Sequence, residues 1–109
     1  MPHLTFRGLE KKALIENSKQ LIDELTEIIG CDRTWFTLEH RETEFIFDGN
    51  IIPGFTFVDM AWFDRGQEVQ NKVAIAITNF CKSINGGKDT TVVFTLLKEN
   101  TYYENGAHF

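Results

Sequence analysis

Phe36-Thr37-Leu38 recurs as Phe94-Thr95-Leu96, 58 residues further on, and Phe6-Arg7-Gly8 has a looser echo in Phe63-Asp64-Arg65-Gly66. Three-letter coincidences are cheap. Here each match falls at the same place in a strand-helix-strand pattern, which makes an internal duplication the better reading. A chain built from two such units can adopt few folds, because each unit needs a crossover of one hand between parallel strands.

The periodicity places the units. Pro2 to Arg7 alternates as a strand, with Leu4 and Phe6 on one face and His3, Thr5 and Arg7 on the other. From Leu9 to Ile29 the period becomes helical: Leu14, Leu21, Leu25 and Ile28 form a stripe, and Gly30 supplies the stop. Trp35 to Leu38 reads as a second strand. Its alternation fails between Glu39 and Glu44, where a bulge or break is expected. Asp48-Gly49-Asn50 and Pro53-Gly54 mark turns before a third strand over Phe55 to Phe63. A second helix follows over Gln67 to Ile84, striped by Val69, Val73, Ile77, Phe80 and Ile84 and ended by Gly86-Gly87. Thr91 to Leu97 makes the fourth main strand, and an Asn105-Gly106 turn signal sits in the aromatic tail.

The expectation is therefore an α+β fold in a single domain spanning 1–109. Repeat one covers about 2–47, repeat two about 55–98, and a tail follows over 99–109. The strands form one four-stranded mixed sheet. Four strands spaced about 4.8 Å apart are as wide as two helices of roughly 10 Å diameter, so the helices cover one face only. Phe55, Phe57, Ala61 and Phe63 alternate with Val58, Met60 and Trp62, and Val92, Phe94 and Leu96 with Val93 and Leu97. Both faces read as apolar, which predicts that other copies of the chain cover the second face.

Composition removes whole classes of function. Sixteen acidic against eleven basic residues give a formal net charge of -5, which repels the phosphate backbone, so nucleic acid is not an expected partner. No apolar run approaches the roughly 20 residues that span a bilayer, and Met1-Pro2-His3 lacks a signal peptide's basic and apolar regions. No membrane partner is expected, and the expected location is cytoplasmic. Cys31 and Cys81 lie 50 positions apart without a CxxC pair, which suits reduced thiols. No Gly-rich phosphate loop follows a strand, so no nucleotide cofactor is expected. His40, Glu42 and Glu44 have strand spacing on one face but read as a solvated edge, and no metal site is expected.

The four arginines Arg7, Arg33, Arg41 and Arg65 are the natural bidentate partners for an anionic substrate. Arg65 follows the strand carrying Trp62 and precedes the second helix, which suits a pocket rim; its bland alternative is a surface pair with Asp64 or Glu68. Arg7 takes the equivalent place in repeat one and reads better as a structural ion pair. Tyr102 and Tyr103 either close a pocket or dock on a neighbouring subunit.

A doubled strand-helix-strand chain of this size beginning Met1-Pro2 resembles the tautomerase superfamily, which includes 4-oxalocrotonate tautomerase and macrophage migration inhibitory factor. The resemblance covers the whole chain. The words Pro2-His3-Leu4, Trp62-Phe63-Asp64-Arg65 and Tyr102-Tyr103-Glu104-Asn105-Gly106-Ala107-His108-Phe109 look like a small bacterial branch of it. It implies a homotrimer with helices outside and pockets at subunit boundaries. It also implies a cofactor-independent tautomerase or isomerase moving a proton between keto and enol forms of a small 2-keto acid. Pro2, freed by removal of Met1, would be the catalytic base, with Arg65, Trp62, Tyr103 and Arg33 as substrate-binding candidates. An α-amino group has a pKa of about 8 that burial lowers, so a neutral amine on a rigid ring near pH 7 is chemically reasonable. The match departs from the superfamily's pattern where its short members place a strand arginine, here Thr37, and where its longer members place a lysine, here roughly Cys31. The competing expectation is a trimeric binding or structural protein that keeps the fold without the chemistry, which retention of Met1 would favour.

Overall fold

In the computed structural model, which describes residues 1–108, the main elements are β1 (His3–Arg7), α1 (Lys11–Ile29), β2 (Thr37–Arg41), a hairpin of β3 (Phe45–Phe47) and β4 (Asn50–Ile52), β5 (Thr56–Phe63), α2 (Gln67–Ile84) and β6 (Thr90–Leu97). A tail hairpin of β7 (Tyr103–Glu104) and β8 (Ala107–His108) follows; Phe109 lies outside the described residues. The main sheet has four strands in the order β2-β1-β5-β6. β1 runs parallel to β2 and β5 parallel to β6, while β1 and β5 meet antiparallel at the centre.

The duplication extends to the hydrogen-bond register. His3 pairs with Thr37 and Leu4 with Leu38 in repeat one; Ala61 pairs with Thr95 and Trp62 with Leu96 in repeat two, each partner displaced by 58. On the same offset Arg7 corresponds to Arg65 and Gly8 to Gly66, while Phe6 falls on Asp64, so only the Arg-Gly part of the looser echo aligns. The helix stripe slips by one, with Leu14 and Leu21 answered by Val73 and Phe80.

Both helices lie on one sheet face, and the core sits between them and the sheet. Leu4, Phe6, Val58, Met60 and Trp62 point down into it and meet Leu14, Leu21, Leu25, Val73, Ile77 and Phe80. Gly30 ends α1 as expected, in the left-handed conformation with its N–H donating to Thr26 at 2.8 Å. Gly8 is demanded by packing as well as by its φ of 72°, since a Cβ there would strike the Phe55 carbonyl.

Two expectations need correction. The second strand begins at Thr37, not Trp35, because the Asp32 carboxylate accepts from the Thr34 N–H at 2.8 Å and folds Arg33–Trp35 into a 3-10 turn. That strand runs on to Arg41, and the break expected between Glu39 and Glu44 falls over 42–44. The face turned away from the helices is mainly apolar on its β5-β6 side, where Phe57, Ala61, Phe63, Val93 and Leu97 lie with Asp59, Thr91 and Thr95 among them. On the β1-β2 side it carries a polar lattice. Glu39 accepts from His3 at 2.8 Å and from Arg41 at 2.9 Å, and Arg7 pairs with Asp59 at 2.9 Å.

Both two-residue hairpins follow their turn chemistry. Asp48-Gly49 and Asn105-Gly106 take positive φ at both positions, as a turn matched to strand twist requires. The β3-β4 hairpin leaves Ile46, Phe47 and Ile51 about 70% exposed.

Candidate functional site

A cavity of about 270 Å³ opens where the N-terminus, the end of β5 and the tail hairpin converge. Its lining is Met1, Trp35, Phe63, Arg65 and Glu104. Each arrives for a local reason. Pro2 is buried, and its carbonyl accepts from the Thr37 N–H at 3.1 Å, which pins the N-terminus against the start of β2. The turn that delays β2 brings Trp35 to the rim. β5 ends at Phe63, and Arg65 stands between that strand and α2, whose first helical residue is Gln67. The Asn105-Gly106 turn folds the tail so that Glu104 faces Arg65's side of the molecule.

The electrostatics follow from this convergence. Desolvation lowers the pKa of the Met1 amine, and the nearby Arg65 guanidinium lowers it further, against an opposite pull from Glu104 and Cys31. Burial raises the Cys31 thiol, with Arg65 opposing, so the thiol, the amine and the guanidinium share one neighbourhood. Three of the four arginines are engaged elsewhere: Arg7 with Asp59, Arg41 with Glu39, and Arg33 with Asp23 at 2.6 Å. Arg65 has no ion pair among the described residues, since Asp64 caps the Gly66 N–H and Glu68 turns to Lys72. The bland alternative read from its neighbours is thus not realised.

Of the residues singled out from sequence, the fold brings Arg65 to this cavity and buries Pro2 directly behind Met1. It does not bring the other three. Trp62 is 1% exposed and packs on Phe94 at 5.2 Å between ring centroids, because its place in the strand alternation points it into the core. Arg33 is drawn to α1 by Asp23. Tyr103 turns its ring to His108 at 5.5 Å, leaving Tyr102 to meet Phe63 at 5.3 Å. Trp35, Phe63 and Glu104 were missed. The signal for Phe63 was present, since it alternates with Trp62 and must point the other way. His40 is accounted for by donating to the Leu9 carbonyl at 2.7 Å.

The family model described as "Domain of unknown function (DUF1904)" matches residues 1–108. The chain belongs to this family. A DUF1904 structure from Sebaldella termitidis is 44% identical, with each chain covered over 100% of its length and a TM-score of 0.92. More distant solved structures show the fold that DUF1904 shares. A macrophage migration inhibitory factor-like protein from Entamoeba histolytica, at 17% identity, covers 99% of this chain and 98% of its own with a TM-score of 0.77. A fused 4-OT, solved as a wild-type symmetric trimer, is 20% identical over 97% of this chain and 94% of its own, with a TM-score of 0.79. The DUF1904 chain therefore shares the fold of these MIF-like and fused 4-OT structures. No curated protein matches it.

Proposed function

We propose that the chain is a cofactor-independent tautomerase acting on a small 2-keto acid, assembled as a homotrimer, with Pro2 as general base once Met1 is removed. The observation that carries this reading is the N-terminal amine inside the cavity, desolvated and beside the guanidinium of Arg65, so that its pKa is held below the usual α-amino range. Removal of Met1 transfers the amine to Pro2, which is already buried, and enlarges the cavity by the side chain that now lines it. The neutral secondary amine takes a proton from the carbon next to the substrate carbonyl and returns it to the alternative position. Arg65 meets the carboxylate and the charge that develops on the enolate oxygen. Trp35 and Phe63 supply apolar walls that strengthen both interactions by excluding water.

Self-association is supported by the apolar half of the open sheet face, by the exposed Ile46, Phe47 and Ile51 of the β3-β4 hairpin, and by the trimeric form of the fused 4-OT with the same fold. A second reading has its own observation: Met1 lines the cavity, and while it remains attached the Pro2 nitrogen is an amide without a basic lone pair. That form would be a binding or structural protein.

The test uses protein whose intact mass shows that it begins at Pro2. Deuterium exchange at the carbon next to the carbonyl of small 2-keto acids should be catalysed, with Pro2→Ala lowering the rate by about 10² to 10⁴-fold. The rate should persist below the usual α-amino pKa and fall on the acid side as the amine becomes protonated. Equal turnover by the form retaining Met1 would remove the mechanism.

A further inference from the structure

Besides the N-terminal amine, the cavity is lined by two charged side chains, Arg65 and Glu104, and neither has a side-chain ion pair among the described residues. The Glu104 side chain is exposed but held in place. Tyr102 donates its hydroxyl to Glu104 Oε1 at 3.0 Å, and the Tyr102 ring packs edge-on against Phe63 of the cavity wall at 5.3 Å. The two-residue turn at Asn105 and Gly106, with φ of 52° and 87°, fixes where the tail reverses and therefore where Glu104 stands.

We propose that Glu104 determines specificity in this cavity, selecting 2-keto carboxylates with a single negative charge and an uncharged or hydrogen-bond-donating far end, and rejecting 2-keto dicarboxylates. The inference rests on the reading of the cavity as a 2-keto acid site. A monoanion bound to Arg65 satisfies the guanidinium and leaves Glu104 free to accept from a hydroxyl or other donor. A dianion must place its second carboxylate near the Glu104 carboxylate, and Arg65 is the one cationic side chain of the lining among the described residues. Discrimination of this kind works by an unfavourable contact with the wrong ligand.

The experiment is calorimetric binding of 2-oxopentanoate and 2-oxoglutarate, equal in carbon count and different by one carboxylate, to the protein beginning at Pro2 and to its Glu104→Gln variant. Glutamine keeps the acceptor for Tyr102 and removes the charge. The parent protein should prefer 2-oxopentanoate, and the variant should tighten 2-oxoglutarate about tenfold while changing 2-oxopentanoate less than about threefold. The gain for the dicarboxylate should shrink at high salt. If the parent binds 2-oxopentanoate but the ratio is the same in the variant, the role of Glu104 is overturned and the cavity's assignment stands. If the parent binds neither acid, both fall together.

Discussion

Trp62 shows how one residue's role is set by parity. Its indole Nε1 is buried without a hydrogen-bond partner among the described residues, an uncommon state for a core tryptophan. Trp62→Phe removes the orphaned donor along with part of the ring, so the loss of packing is offset and stability should change by no more than about 1 kcal/mol. Trp62→Ala, which only empties the site, should cost about 3–5 kcal/mol in denaturant unfolding. A Phe variant as damaged as the Ala variant would mean that the N–H is satisfied in solution. The two thiols separate in the same way. Burial pushes the Cys81 thiol up to about 12, whereas Cys31 is half-buried and raised less. Mass spectrometry after brief treatment with an alkylating reagent should find Cys31 modified in the native protein, faster as pH rises, and Cys81 modified only after unfolding.

At the scale of elements, the parallel β1-β2 pair is repeat one's half of the sheet, and its open face is held by charge more than by packing. The His3 ring beside Glu39, then Arg41, hold the Glu39 carboxyl below the usual carboxylate range. A carboxyl whose folded pKa is depressed stabilises the fold above its unfolded pKa and loses that contribution as pH falls through the folded one. Glu39→Gln should therefore lower the melting temperature at pH 7, and the gap to the parent should close as pH drops below about 4. Thermal melts at both pH values decide it, and a gap that stays constant would assign the loss to packing. The corresponding strand pair of repeat two, β5-β6, carries Ala61 opposite Thr95 where repeat one has His3 opposite Thr37, so the duplicated backbone has diverged into a polar half and an apolar half.

At the scale of the whole molecule, that apolar half needs a cover. Val93 lies on it opposite Asp59 and is 37% exposed, so it is accessible to a second copy and contributes little to the monomer's core. Val93→Glu should leave the secondary structure and the monomer's fold intact while converting the proposed trimer to monomer, because a carboxylate would be buried unpaired in the interface. Light scattering at micromolar concentration with circular dichroism as control makes the comparison. A parent protein that is itself monomeric would remove the trimer, and a variant that remains trimeric would move the interface elsewhere.

The sequence by itself determined the parts governed by local repetition. Two periods, 2 and 3.6, together with Gly30, Asp48-Gly49 and Asn105-Gly106, set the elements, and the recurrence of Phe-Thr-Leu announced the duplicated strand-helix-strand plan. Arg65 was legible as the arginine between a strand end and a helix start. Which aromatic faced the cavity was not. Trp62 and Phe63 are adjacent, and choosing between them requires knowing which sheet face the helices cover, a fact of crossover geometry and not of composition. The same holds for Arg33, whose guanidinium reaches ten residues back to Asp23 across a helix end, and for Glu104, brought to Met1 from the far end of the chain. Long-range convergence of this kind is paid in loop-closure entropy and rewarded by packing, neither of which is written in neighbouring letters. Only the tertiary structure could decide which charges would meet.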